Sequence, residues 1–189
     1  MDIFDRIIVQ FRSYRHRTLR PVGKHLADMG ITPSIMTCFS LLCGVLSVYF
    51  LFQHYLLFLL FGVLHLLADA LDGTIASVTA ASTFGRYFDY GTDNVIALLL
   101  VLKIGYFLQD YYVYIIGGLY LLSQLVHLSS KLTAPVLFAR SVSMIALFLY
   151  LPSVLNITSY LPILVYLFVG VISVYSLARQ LQWTFAKRF

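Results

Sequence analysis

What most constrains this chain is the recurrence of apolar segments of roughly membrane-spanning length, at residues 37–52, 55–71, 88–108, 111–128, 135–151 and 161–177. A helix of about 20 residues crosses the hydrocarbon layer of a bilayer. Backbone polar groups find no water there, so a spanning segment must satisfy them within itself, as a helix does. The expected fold is therefore all-α: a polytopic membrane protein with six transmembrane helices. Composition supports it, since 60% of the residues are hydrophobic and only 11% are charged, where a soluble domain carries about 25%. The 189 residues leave no length for a separate soluble domain.

Ahead of the first span, Phe4, Ile7, Ile8 and Phe11 recur at helical spacing with Asp5, Arg6 and Arg12 between them. This pattern predicts an amphipathic helix lying on the membrane surface. Residues 1–30 thus form an interfacial segment, 31–180 the membrane domain and 181–189 a basic tail. No apolar stretch with a small-residue cleavage site precedes the first span, so the N-terminus is expected to stay. Arg6, Arg12, Arg15, Arg17, Arg20 and Lys24 all come before that span. Excess Lys and Arg mark the cytoplasmic side. An even number of spans then puts both termini in the cytoplasm of a cell (inner) membrane protein, together with the connections at 73–87 and 129–134. The net charge of +5 is accounted for by anionic lipid, and no nucleic-acid partner is expected. The outer connections are short and nearly uncharged, which places function at the cytoplasmic face. Tyr111, Tyr112 and Tyr114 fit an aromatic belt at the outer surface. Cys38 and Cys43, five apart on different helix faces, read as packing residues.

All eight acidic residues are aspartates, and four of them, Asp69, Asp72, Asp89 and Asp93, occupy one short stretch. Asp69 and Asp72 are three apart at the end of the second span, and Asp89 and Asp93 are four apart at the start of the third, so each pair shares a helix face. A short connection makes the two spans antiparallel neighbours, which lets the four carboxylates converge. Four such charges at a membrane edge repel one another and resist desolvation unless cations neutralise them. An all-oxygen set with no nearby Cys favours Mg²⁺, Mn²⁺ or Ca²⁺ over zinc, with room for two ions. Carboxylates conducting protons or ions are the alternative. Gly73, Ala76 and Gly85 beside the acids permit close approach of a ligand or of a neighbouring helix. His65, one turn before Asp69, reads as a hydrogen-bonded packing residue or, less favourably, as a contact to donor or metal.

These residues, Asp69-x-x-Asp72-Gly73-x-x-Ala76 and then Gly85-x-x-x-Asp89-x-x-x-Asp93, make the chain resemble the CDP-alcohol phosphatidyltransferases, whose signature is D-x-x-D-G-x-x-A-R, eight residues, then G-x-x-x-D-x-x-x-D. Gly30-Ile31-Thr32-Pro33, followed by Thr37, is also similar to the family's approach to its first span. Two departures stand out: Ser77 occupies the place of the motif arginine, and seven residues rather than eight separate it from Gly85. The resemblance implies an enzyme of the EC 2.7.8 type acting in phospholipid biosynthesis. It would transfer a phosphatidyl-type group from a CDP-linked lipid to the hydroxyl of a small polar alcohol or alcohol phosphate, releasing CMP. By the same resemblance Asp69, Asp72, Asp89 and Asp93 hold Mg²⁺ or Mn²⁺, two ions in all, and Asp93 is the catalytic general base. Thr37, Asp69, Gly73, Ala76, Ser77 and Gly85 contact the CDP-lipid, and the protein is a homodimer.

For the acceptor, Gln124, His127 and Lys131 form one polar stripe along the fourth span, and such a stripe in lipid faces the bundle interior. Arg140, a turn and a half into the fifth predicted span, needs a wet cavity or an anion. Lys131 and Arg140 are the expected ligands of an acceptor phosphate; the alternatives are snorkelling for Lys131 and pairing with an aspartate for Arg140. Two other functions compete. An intramembrane prenyltransferase also binds a diphosphate through aspartates and Mg²⁺, but the D-G-x-x-A element speaks against it. A non-enzymatic carboxylate-lined ion transporter would place its acids near the midplane and show repeated halves.

Overall fold

A computed structural model of the chain describes residues 18–79, 82–137, 139–150 and 160–186. The expected surface helix around Phe4 to Phe11, the outer connection at 152–159 and the last three residues lie outside these. Every regular element among the described residues is helical: α1 (helical at 18–28), α2 (Pro33–Phe50), α3 (Tyr55–Thr79), α4 (Thr83–Leu108), α5 (Tyr111–Ser129), α6 (Arg140–Phe148) and α7 (Leu161–Ala186).

Five of them, α2, α3, α4, α5 and α7, are long and apolar enough to cross a membrane. Between 28% and 39% of each apolar window is buried, and residues such as Leu56, Leu122 and Val171 present their side chains outward. So much outward apolar surface is compatible with lipid as the solvent and not with water. Tyr111 and Tyr112 are also strongly exposed, as a belt position requires.

The fifth predicted span is corrected. Residues 135–151 do not form one helix: 135–137 and 139 are irregular, and α6 has nine residues, about 13 Å at 1.5 Å per residue and too short to cross. The apolar character of the stretch does not register this break, because hydropathy reports burial and not helix continuity. Arg140 consequently stands at the first residue of α6, not a turn and a half inside a span.

The predicted connection at 73–87 is corrected too. α3 continues to Thr79 and α4 starts at Thr83, so most of that stretch is helical. Hydrophobic periodicity fades after Leu71 because polar residues begin, yet the hydroxyls of Thr74, Ser77 and Thr79 donate back to the carbonyls of Ala70, Thr74 and Ile75. Such local bonds satisfy polar side chains inside a helix. At the far end, α7 continues through Ala186, beyond the expected limit of its span at 177.

The chain divides into two compact units. One comprises Met1–Gly44 and Phe61–Thr92, the other Val45–Leu60 and Asp93–Phe189. In the first, α1 ends where Gly30 takes φ +83°. Its N–H donates to the Ala27 carbonyl at 2.9 Å, and the Ile31 N–H to the Leu26 carbonyl at 3.0 Å, the paired bonds of a glycine-terminated helix. Thr32 then caps α2 by accepting from the Ile35 N–H at 3.3 Å, with Pro33 at the first helical position, where its missing N–H is no loss. Gly23 brings α1 close to α3: a Cβ there would meet Thr74 Cγ2 at 2.7 Å. In the second unit, α7 packs against α5 and α6. Asp110 caps α5 through the Tyr112 N–H at 3.0 Å and accepts from the Tyr166 hydroxyl at 2.9 Å. Of the cysteines, Cys43 is buried and Cys38 exposed.

Candidate active site

The first unit carries a cleft of about 490 Å³, lined by the end of α1, the beginning of α2, the last turns of α3 and the beginning of α4. Its size lies within the range of small-molecule sites, roughly 300–1,000 Å³. Caps shape three of these ends: the Gly30 turn closes α1, Thr32 opens α2, and Ser82 opens α4 by accepting from the Gly85 N–H at 2.9 Å. The cap at Ser82 sets where α4 begins, and thereby the register of Gly85, Arg86 and Asp89.

Asp72 and Asp89 line the cleft from α3 and α4. Asp72 is 4% exposed, and the Thr37 hydroxyl donates to its Oδ2 at 3.1 Å. A buried carboxylate needs such donors or a cation. Asp69 lies one turn before Asp72 on α3, and one of its carboxylate oxygens is within 4.8 Å of one from Asp89. Two oxygens that both bind an ion at about 2.1 Å stand no more than about 4.2 Å apart, so a small side-chain movement brings this pair to an ion. Hard oxygen donors with no sulfur or imidazole among them suit Mg²⁺ or Mn²⁺. Asp93 follows Asp89 by one turn on the same face of α4.

Among the other expected donor contacts, Thr37, Gly73, Ala76 and Gly85 all line the cleft. Gly73 faces open space, since a Cβ there would meet nothing within 4 Å, and the missing side chain leaves volume to a ligand. Ser77 does not belong to that lining, and its hydroxyl donates to the Thr74 carbonyl at 2.6 Å. His65 is buried, its Nδ1 is 2.9 Å from the Ser40 hydroxyl, and Ser40 in turn donates to the His65 carbonyl, contacts that suit a packing residue.

In the second unit the guanidinium of Arg140 pairs with Asp93. Arg140 is buried while Asp93 retains some contact with solvent. Lys131 is exposed and adopts φ +58°. It follows the end of α5, where its N–H donates to the Leu128 carbonyl at 3.0 Å. The polar stripe on α5 therefore divides. Gln124 and His127 are buried, the latter against the Ala134 carbonyl, whereas Lys131 leaves the helix axis. The sequence showed no sign of the Thr37–Asp72 bond as such, nor of the Ser82 cap, which a Ser three residues before Gly85 signals only once the start of α4 is known.

A family model described as CDP-alcohol phosphatidyltransferase matches residues 30–183. A search of curated proteins found no match. The matched stretch takes in every residue of the cleft lining but Ala27, all four aspartates and both candidate acceptor cations.

Proposed function

From the premise that the chain belongs to the CDP-alcohol phosphatidyltransferase family, we propose that the cleft of the first unit binds the cytidine diphosphate of a CDP-linked lipid. Thr37, Gly73, Ala76 and Gly85 would border it, and Asp69 and Ser77 would approach its phosphates from behind that border. The observation that carries this reading is the proximity of the Asp69 and Asp89 carboxylates, within 4.8 Å, next to a cleft that Asp72 and Asp89 also line. So much like charge is held stably only with a counter-cation.

Asp69, Asp72, Asp89 and Asp93 would hold Mg²⁺ or Mn²⁺, two ions in all, which would offset the diphosphate charge and favour departure of CMP. In the reaction the acceptor hydroxyl oxygen bonds to the lipid-side phosphorus while the bond from that phosphorus to the CMP oxygen breaks. Asp93 takes the hydroxyl proton as the new bond forms, the work of a general base. Arg140, paired with Asp93, would orient that carboxylate and, with Lys131, meet the phosphate of a phosphorylated acceptor. The acceptor is a small polar alcohol. We further propose six crossings of the membrane, the fifth made by α6 together with the irregular residues before it because α6 alone is too short, both termini and the cleft on the cytoplasmic side of the cell membrane, and a homodimeric assembly. The excess of Lys and Arg before α2 supports the orientation.

The test is CMP release by the purified full chain in lipid nanodiscs from CDP-diacylglycerol or CDP-archaeol, with a panel of acceptors. Release is expected with Mg²⁺ or Mn²⁺ and is expected to stop on adding EDTA. Metal-independent release, or none with any donor and acceptor, removes the assignment.

A further inference from the structure

A diphosphate needs positive charge around it, and the cleft is poor in it. Among the described residues its lining includes two carboxylates, Asp72 and Asp89, and a single Lys or Arg, namely Arg86. The position where the family signature has arginine holds Ser77, which is neutral, stands outside the lining and uses its hydroxyl on the Thr74 carbonyl. Taking the proposed function as given, we propose that Arg86 is the side chain that binds the donor diphosphate, replacing from α4 the cation that α3 lacks.

Position and chemistry both favour it. Arg86 follows Gly85, where a Cβ would crowd the capping Ser82 hydroxyl at 3.2 Å, and precedes Asp89 by three residues, so that it and the carboxylate share a face of α4. Its placement in the first turn of a 26-residue helix adds the partial positive charge of a helix N-terminus to that of the guanidinium. Ser82 holds that turn in register by capping the Gly85 N–H. Arg86 is largely exposed, so it can settle on a ligand without first abandoning a packed position. The guanidinium presents a planar fork of donors that matches two phosphate oxygens at once, which an ammonium does not. The missing residue of the connection falls between Ala76 and Gly85, that is, between the two places from which a cation could reach the same phosphates. A shorter connection brings the α4 side of the cleft nearer in sequence to the α3 side, and the charge is found on α4.

The experiment is binding of CDP and, separately, of cytidine to the purified full chain in nanodiscs with Mg²⁺, by isothermal titration calorimetry. Arg86→Gln is expected to weaken CDP by about 10- to 100-fold, the size of a lost hydrogen bond to a charged group, and to leave cytidine affinity unchanged. Arg86→Lys should retain more CDP affinity than Arg86→Gln. The proposal is overturned if Arg86→Gln binds CDP as the wild type does, if it loses cytidine and CDP equally, or if Lys is no better than Gln at this position. Wild-type protein that binds no CDP would instead remove the donor-site reading itself, and this residue's role with it.

Discussion

Two charged regions of this molecule look alike in sequence and differ in what they are. The facing ends of α3 and α4 carry acids and small residues at fixed intervals, and the folded chain arranges Thr37, Asp72, Gly73, Ala76, Gly85 and Asp89 around one cleft. The stretch from the end of α5 to the start of α6 carries Lys131 and Arg140, which read together as a phosphate site. There the structure separates their circumstances: Arg140 is buried against Asp93 and Lys131 is exposed in a left-handed turn. Intervals along continuous helices survive folding, because 3.6 residues per turn fixes which side chains share a face. Intervals across a break do not.

The sharpest way to break this comparison is at the acids. Asp93→Asn is expected to lower CMP release by about 10²–10⁴-fold, the range for loss of a general base, and to weaken CDP binding by much less, since three other aspartates remain to hold the ions; unimpaired turnover would falsify its role. The two cations come next. Arg140→Gln removes the guanidinium from a partly buried carboxylate, and a loss of roughly 2–3 kcal/mol is expected, somewhat under the roughly 3–5 of a fully buried pair because Asp93 keeps some solvent contact. Lys131→Gln should change stability by less than about 0.5 kcal/mol, as exposed positions do. Denaturation in mild detergent reads both, and equal losses would erase the distinction between the regions.

Smaller effects sharpen it. Gly23→Leu forces a side chain into Thr74 and should cost about 1–3 kcal/mol as overpacking, with CDP binding weakened because α1 borders the cleft. Gly118→Ala, where a Cβ meets nothing within 4 Å, should be neutral or stabilising by up to about 1 kcal/mol. Ser82→Ala removes the cap of α4 at a cost of about 1 kcal/mol. Its effect should show as faster amide exchange at Thr83 to Arg86, and unchanged exchange there would argue that the cap does not hold the turn.

How far the fold could be read in advance varied with the kind of signal. Long apolar runs announced α2, α3, α4, α5 and α7, since burial in lipid demands little beyond length and hydrophobicity. The same signal failed at 135–151, where 135–137 and 139 are irregular although apolar, and it ended α3 too early because Thr74, Ser77 and Thr79 are polar yet bond back to their own helix. The Nδ1 contact of His65 with Ser40 is compatible with the packing role expected for it.

By itself the sequence determined that the chain is a helical membrane protein of the CDP-alcohol phosphatidyltransferase family, and which acids share a helix face. The helical membrane character follows from local composition, the shared faces from spacing along each continuous helix, and the family from the likeness of the motif over both helices. Only the tertiary structure decided that the Thr37 hydroxyl belongs to Asp72, that Arg140 belongs to Asp93, and that Arg86 rather than Ser77 borders the cleft. Those pairings join residues from different helices or depend on where a helix begins, and they are set by packing and capping that no interval along the chain encodes.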